Sequence, residues 1–188
     1  MQIIGNDIVG TITDDRAGSS VSLSADGNIL AVGAPYNNGQ EGLVRVYRLS
    51  QQGTWRQIGS DIIGDTTGDK FGYILSLSSN GNTLAVGAPY NDSGTGHVKV
   101  FRLISNTWTQ IGLDITGDIS GDEFGAALSL SGDGNILAVG APYNNGQEGL
   151  VRVFTLNTNT WVQIGSDITG DTPGDQFGYF YLHPLLIV

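Results

Sequence analysis

The sequence predicts an all-β protein assembled from small four-stranded antiparallel sheets, and three observations carry that reading. Trp55, Trp108 and Trp161 stand 53 residues apart, and Gly59, Gly112 and Gly165 keep the same step. The segment from Asn28 to Val46 recurs letter for letter from Asn135 to Val153. Within the unit no apolar residues recur at helical spacing, whereas short runs alternate large apolar with small polar residues, the mark of a strand.

The middle copy shows each element in order. Tyr73 to Ser78 (YILSLS) alternates and reads as a first strand. Asn80-Gly81 then forms a tight hairpin, because glycine supplies the positive φ that such turns need; Asp26-Gly27 and Asp133-Gly134 stand in its place in the other copies. Asn82 to Ala88 (NTLAVGA) is nearly all apolar, as expected of a strand buried on both faces. Pro89 ends it by removing a ladder donor. After the loop Tyr90 to Gly96, His97 to Leu103 alternates again, and Ser105-Asn106-Thr107 turns the chain. Trp108 to Ile115 is read as one continuous fourth strand, followed by a Gly/Asp-rich link.

One such sheet cannot cover both of its own faces, but stacked sheets cover each other. A period of this length with this content predicts the blades of a β-propeller. Complete blades are expected at 17–63, 71–116 and 124–169, after a last strand and link of a preceding blade at 1–16. Gly33, Ala34, Gly87, Ala88, Gly140 and Ala141 are small enough for blades to approach closely. Three blades form an open arc, so the chain reads as part of a larger propeller. Its two bare faces predict poor solubility or self-association, with two arcs completing one ring as one form of it. Met1 occupies the slot of Trp55, so the chain is read as starting inside a strand. Beyond Phe177-Gly178 the register is lost, and Pro184 falls where a paired strand should run. Residues 177–188 therefore read as an aberrant start of a fourth blade, the product of a truncation or frameshift.

The motifs also carry a resemblance. Phe71-Gly72 is followed by Gly87-Ala88-Pro89, and Phe124-Gly125 at the same distance by Gly140-Ala141-Pro142. Gly33-Ala34-Pro35 stands in the first copy, where Ala17-Gly18 replaces Phe-Gly. This resembles the FG-GAP repeat, the blade unit of the integrin α-subunit propeller and of many secreted or surface proteins. The resemblance covers nearly the whole chain up to Gly178. It implies an extracellular or cell-surface location and ligand recognition in adhesion. It also implies a calcium site in the first hairpin, built on oxygen ligands at alternate positions. Here those positions hold Ser22 and Ser24, Ser76 and Ser78, or Ser129 and Ser131, and the closing ligand is Leu30, Leu84 or Leu137. The Asp-Gly-Asn hairpin is therefore read as a turn and not as a metal site.

Charge is the other strong signal. The 188 residues include 18 acids, 8 bases and no cysteine, for a net charge of −10. That argues against nucleic acid, whose phosphates need basic partners, and the missing cysteine removes disulfide and thiol chemistry. No apolar run approaches the roughly 20 residues of a membrane-spanning helix. In a four-stranded meander the second connection and the inter-blade link share one rim. Sixteen acids fall there with only Arg16 and Lys70, a formal −14, while the remainder carries +4. Such a rim is suited to steering cations or a basic partner.

The same rim carries Tyr36-Asn37, Tyr90-Asn91 and Tyr143-Asn144, residue types suited to adaptable recognition of protein or glycan and equally to plain turns. In the integrin family, ligands meet the propeller at this rim. The pairs Asp65/Asp69, Asp118/Asp122 and Asp171/Asp175 recur in the links as weak candidates for calcium, or as caps of turns. Arg45, Arg48, Lys99, Arg102 and Arg152 lie on third strands and are expected to be solvated or to lie over aromatic rings. His97 and His183 do not recur, and His97 is expected to be a surface variant. With no asymmetric constellation in view, no catalytic residue is assigned and the chain is expected not to be an enzyme. The reading is a binding module; a purely structural scaffold and a propeller hydrolase remain the alternatives. The sequon Asn91-Asp92-Ser93 is compatible with secretion.

Overall fold

A computed structural model describes residues 5–179. The three repeats fold as three antiparallel sheets. Blade 1 holds β1 (Ser20–Leu23), β2 (Ile29–Ala34), β3 (Leu43–Leu49), β4 (Trp55–Gln57) and β5 (Ile62–Ile63). Blade 2 holds β6 (Ile74–Leu77), β7 (Thr83–Ala88), β8 (His97–Ile104), β9 (Thr107–Gln110) and β10 (Ile115–Thr116). Blade 3 holds β11 (Ala127–Leu130), β12 (Ile136–Ala141), β13 (Leu150–Asn157), β14 (Thr160–Gln163) and β15 (Ile168–Thr169).

The fourth strand departs from the expected continuous run. It comes as two pieces, both paired with the third strand: β9 and β10 each pair with β8. The break falls at Gly112, whose φ is +75°. A Cβ there would stand 2.8 Å from Cδ1 of Trp161 in the next blade. The kink admits that tryptophan, whose Nε1 donates to the Ile111 carbonyl at 3.1 Å. Trp108 repeats the bond one blade earlier, to the Ile58 carbonyl at 3.1 Å. Period-two patterning does not reveal such a kink, because the apolar alternation continues through it.

The core lies between blades. Ile29, Ala31, Val44, Val46 and Ile62 of blade 1 cluster with Leu75, Leu77, Leu84, Val86 and Phe101 of blade 2. The other face of blade 2, with Val98, Val100, Ile111 and Ile115, meets Leu130, Leu137, Val139 and Phe154 of blade 3. All six residues of β7 are buried, because its blade has a neighbour on each side. Polar groups lock the register between blades: the Leu77 amide donates to Ser22 Oγ, and the Leu130 amide to Ser76 Oγ, each at 2.9 Å. Gly87 permits the close approach expected of it, since a Cβ there would lie 2.3 Å from the Gly125 carbonyl oxygen.

Residues 5–16 run alongside blade 1. Trp55 donates its amide to Asn6 Oδ1 at 2.9 Å, and Ile8 and Val9 lie beside Val32, Ala34 and Leu43. The expectations about Met1, His183 and Pro184, and most of the expected fourth-blade start, lie outside the described residues.

Candidate functional site

The second connection and the link that follows the same blade run together on one rim. Phe71 and Lys70 donate their amides to the carbonyls of Glu41 and Gln40, and Gly64 donates to Gly42. After each Ala-Pro the chain makes one helical turn whose middle residues are left-handed: Asn38, Asp92 and Asn145 take φ of 47°, 46° and 48°. Asparagine and aspartate tolerate that conformation better than most residues, so the Tyr-Asn-Asn and Tyr-Asn-Asp runs are shaped by their backbone.

A second left-handed position, which the sequence reading did not single out, lies in the links. Arg16, Lys70, Glu123 and Gln176 occupy the residue before each Ala-Gly or Phe-Gly, with φ of 53°, 53°, 54° and 49°. Non-glycine residues held there are strained, and such strain clusters at functional sites. Arg16 lies over the Tyr36 ring, its guanidinium carbon 4.0 Å from the centroid. Lys70 bridges two blades, with Nζ 3.7 Å from the Tyr90 centroid and 5.3 Å from that of Tyr36. Tyr73 meets Tyr90 edge-on at 5.7 Å, and Tyr179 meets Tyr143 at 6.4 Å. Burial and the nearby Glu123 carboxylate push the Tyr90 phenol well above its ordinary value. Burial also raises the Glu123 carboxyl, against the pull of Lys70.

The order Arg, Lys, Glu, Gln breaks the repeat at a point where the surrounding structure keeps it. The signal was present in the sequence as the one variable letter before each Phe-Gly or Ala-Gly. Beside this row lies a cleft of about 590 Å³ lined by Arg16, Ser19, Ser20, Tyr36, Tyr73 and Tyr179 together with Val21, Ile74, Leu75, Ala126 and Leu128. That volume is in the usual range for a small-molecule site.

Of the candidate rim residues, Tyr36 lines the cleft, and Tyr90 and Tyr143 contact its lining through Tyr73 and Tyr179. The asparagines turn elsewhere. Asn37 is buried, and Asn91 and Asn144 donate from Nδ2 to Asp69 and Asp122 at 2.9 and 2.6 Å. The sequon amide of Asn91 is thus engaged with a buried carboxylate.

The paired aspartates divide their work. Asp69 and Asp122 are buried and accept from those asparagines. Asp175 accepts from the Thr172 amide at 3.1 Å and its hydroxyl at 2.7 Å, capping its turn. Asp65 and Asp118 reach forward to Lys99 and Arg152 of the next blade. Asp171 has no cation beside it among the described residues, which also contain no cluster of three or more His, Asp or Glu arranged for a metal. In the first hairpin Asp26 accepts from Ser24 Oγ and from the Asn28 amide and side chain. These bonds hold its carboxyl down to about 2.

Two expectations are corrected. Arg45, Lys99 and Arg152 are neither freely solvated nor stacked on rings: each is mostly covered and ion-paired with rim acids. Arg45 meets Asp61 at 2.7 Å and Arg152 meets Asp167 at 2.9 Å, bonds that hold both carboxyls below the ordinary aspartate range. The acidic rim is therefore partly neutralised from within. His97 is not a surface variant: it is buried, and desolvation lowers its pKa. The sheet register that places Arg45 against Val32 puts His97 against Ala88, on the covered ladder.

No protein-family model and no curated protein sequence matches the chain. Solved structures do. A candidate 6-phosphogluconolactonase from Bacteroides uniformis aligns over 83% of this chain at TM-score 0.57 and 19% identity. Sqt1 of Saccharomyces cerevisiae aligns over 92% at 0.57 and 13%. The β-propeller domain of the trilobed protease of Pyrococcus furiosus aligns over 81% at 0.51 and 13%. The chain spans 42%, 40% and 42% of these structures' lengths. The expectation that the chain is not an enzyme is corrected by the first of them, since the arrangement it shares is one that a candidate lactonase uses. The repetition of the acids is no argument against catalysis. The fold itself is that of a β-propeller, present here as three blades.

Proposed function

We propose that the chain is a ligand-recognition module of FG-GAP type from a secreted or cell-surface protein, taking a glycan or a protein loop at the cleft beside the left-handed row. The carrying observation is the row itself. Four strained positions carry four different side chains, of which Arg16 lines the cleft and Lys70 lies over the rings of Tyr36 and Tyr90 beside it, where packing alone would be served by one residue type. Tyrosine faces suit sugar rings and peptide side chains, and Arg16, Lys70 and Glu123 supply charge of both signs for orientation. The Phe-Gly to Gly-Ala-Pro spacing supports the FG-GAP assignment, and the acidic surroundings favour ligands carrying basic groups.

A panel of purified glycans and matrix proteins tests this reading. Binding that drops at least tenfold in both Tyr36→Ala and Lys70→Ala supports it, and binding indifferent to both substitutions overturns it. A second reading has its own support in the likeness to the candidate lactonase: the same cleft would hydrolyse a sugar lactone, with Arg16 receiving an anionic substituent. Lactone hydrolysis followed by acid release, lost in Arg16→Ala, separates it from binding alone.

A further inference from the structure

We propose that the rim opposite the acidic one carries a second binding site, for an anionic sugar, in the groove between the hairpins of blades 1 and 2. Strand pairing sets it up. Arg48 on β3 stands opposite Ile29 on β2 and opposite Arg56 on β4, so the three form one rung on the face turned toward blade 2. The next rung on that face, Ala31 and Val46, is buried in the core between the blades, whereas both arginines are exposed. Like charges directly opposite each other destabilise a sheet, and an anion between them reverses the sign. Neither arginine has a carboxylate within ion-pair reach among the described residues, where Arg45, Lys99 and Arg152 are taken up by acids of the other rim. The repeat does not impose the pair: Thr109 and Val162 occupy the place of Arg56 in the other blades.

Arg48 lines a groove of about 430 Å³ whose other polar walls are Asp26, Asn28, Ser50, Gln51 and Asn80. The walls are tied across the blades. The Ala25 amide donates to the Ser79 carbonyl at 2.9 Å, and Gly81 lies so close that a Cβ there would be 2.6 Å from Cγ1 of Ile29. Asn80 Oδ1 accepts from Ser78 Oγ and the Asn82 amide, which leaves Nδ2 to donate. Asn28 Nδ2 donates to Asp26, which leaves Oδ1 to accept. Donors and acceptors at this density suit the hydroxyls of a sugar. Asp26, the one acid in the lining, is held by Ser24 and Asn28, so two arginines stand against one carboxylate. A sulfate or carboxylate on the sugar takes charge-assisted bonds from both guanidinium groups. In the groove between blades 2 and 3, Arg102, Thr109 and Asp133 replace Arg48, Arg56 and Asn80, so one arginine meets one new carboxylate and the preference for an anion is lost.

Equilibrium binding to the full chain at about 50 mM salt, where surface charges are weakly screened, tests this. The probes are a sulfated tetrasaccharide, a tetragalacturonate, maltotetraose and inorganic sulfate. At least one acidic tetrasaccharide is expected to bind, with maltotetraose and inorganic sulfate at least tenfold weaker, and the tighter of the two acidic probes tells whether sulfate or carboxylate bridges the arginines. Arg48→Ala and Arg56→Ala, both at exposed sites, should each weaken binding at least fivefold with unchanged far-UV circular dichroism. Arg102→Ala leaves it intact. Tyr36→Ala, in the cleft of the other rim, also leaves it intact, so this site and the cleft stand or fall separately. Absence of binding by both acidic tetrasaccharides, maltotetraose or inorganic sulfate binding as tightly as they do, or a loss in Arg102→Ala or Tyr36→Ala equal to that in Arg48→Ala overturns the proposal.

Discussion

Residues 28–46 and 135–153 are one amino-acid sequence in two settings. Both fold as strand, left-handed turn and strand. Gly33 faces Val44 just as Gly140 faces Val151, and Asn38 and Asn145 differ by one degree in φ. Yet Ile29 is 6% exposed and Ile136 is 42% exposed. The local fold is therefore written inside the repeat, whereas burial, and the stability that comes with it, is conferred by the neighbouring blade.

Substitutions at matched positions break or sharpen that comparison. Phe71 is fully buried between blades and its counterpart Phe177 is 42% exposed. Phe71→Ala is expected to cost about 3–5 kcal/mol in denaturant unfolding, and Phe177→Ala under about 1 kcal/mol. Equal costs would show that stacking is not the source of the difference. Gly87→Ala forces a methyl against a backbone oxygen of the next blade, and overpacking of this kind costs about 1–3 kcal/mol.

The ion pairs come next. Arg152 meets two carboxylates and Arg45 one, so Arg152→Gln should lower stability more than Arg45→Gln, by up to about 1 kcal/mol at low salt and less at high salt. Asp61 and Asp167 have folded-state pKa values below the ordinary 3.8 because of these arginines. Their contribution is present above that value and is lost as pH falls through the depressed ones. Acid titration of either variant should show a shallower loss of stability below pH 4 than the parent. The smallest effect is expected at Asp26→Asn. Asn80 already closes the equivalent hairpin, accepting from Ser78 Oγ at 2.9 Å, so the unfolding midpoint should be unmoved.

Much of this architecture was legible in the sequence because a strand pairing needs only alternation and a turn residue. β6, β7 and β8 fall within a residue of the runs that predicted them. What escaped depends on groups brought together across blades. The break at Gly112 exists because Trp161, 49 positions later, needs the space. Arg152 looked solvated because its acid partner Asp118 is in the preceding link, 34 residues away. His97 stands at a position that leucine fills in the other blades, and that leucine was the clue to its burial. At the candidate site the tyrosines were visible as letters. The row of Arg16, Lys70, Glu123 and Gln176 was present as one variable letter per repeat, and its shared left-handed backbone is what makes it a row.

Amide hydrogen exchange followed residue by residue tests most directly whether neighbouring blades supply the stability. The account predicts the slowest exchange in β7, which is covered on both sides, intermediate exchange in β2, and the fastest in β12 although its sequence is that of β2. Equal protection of β2, β7 and β12 would contradict it.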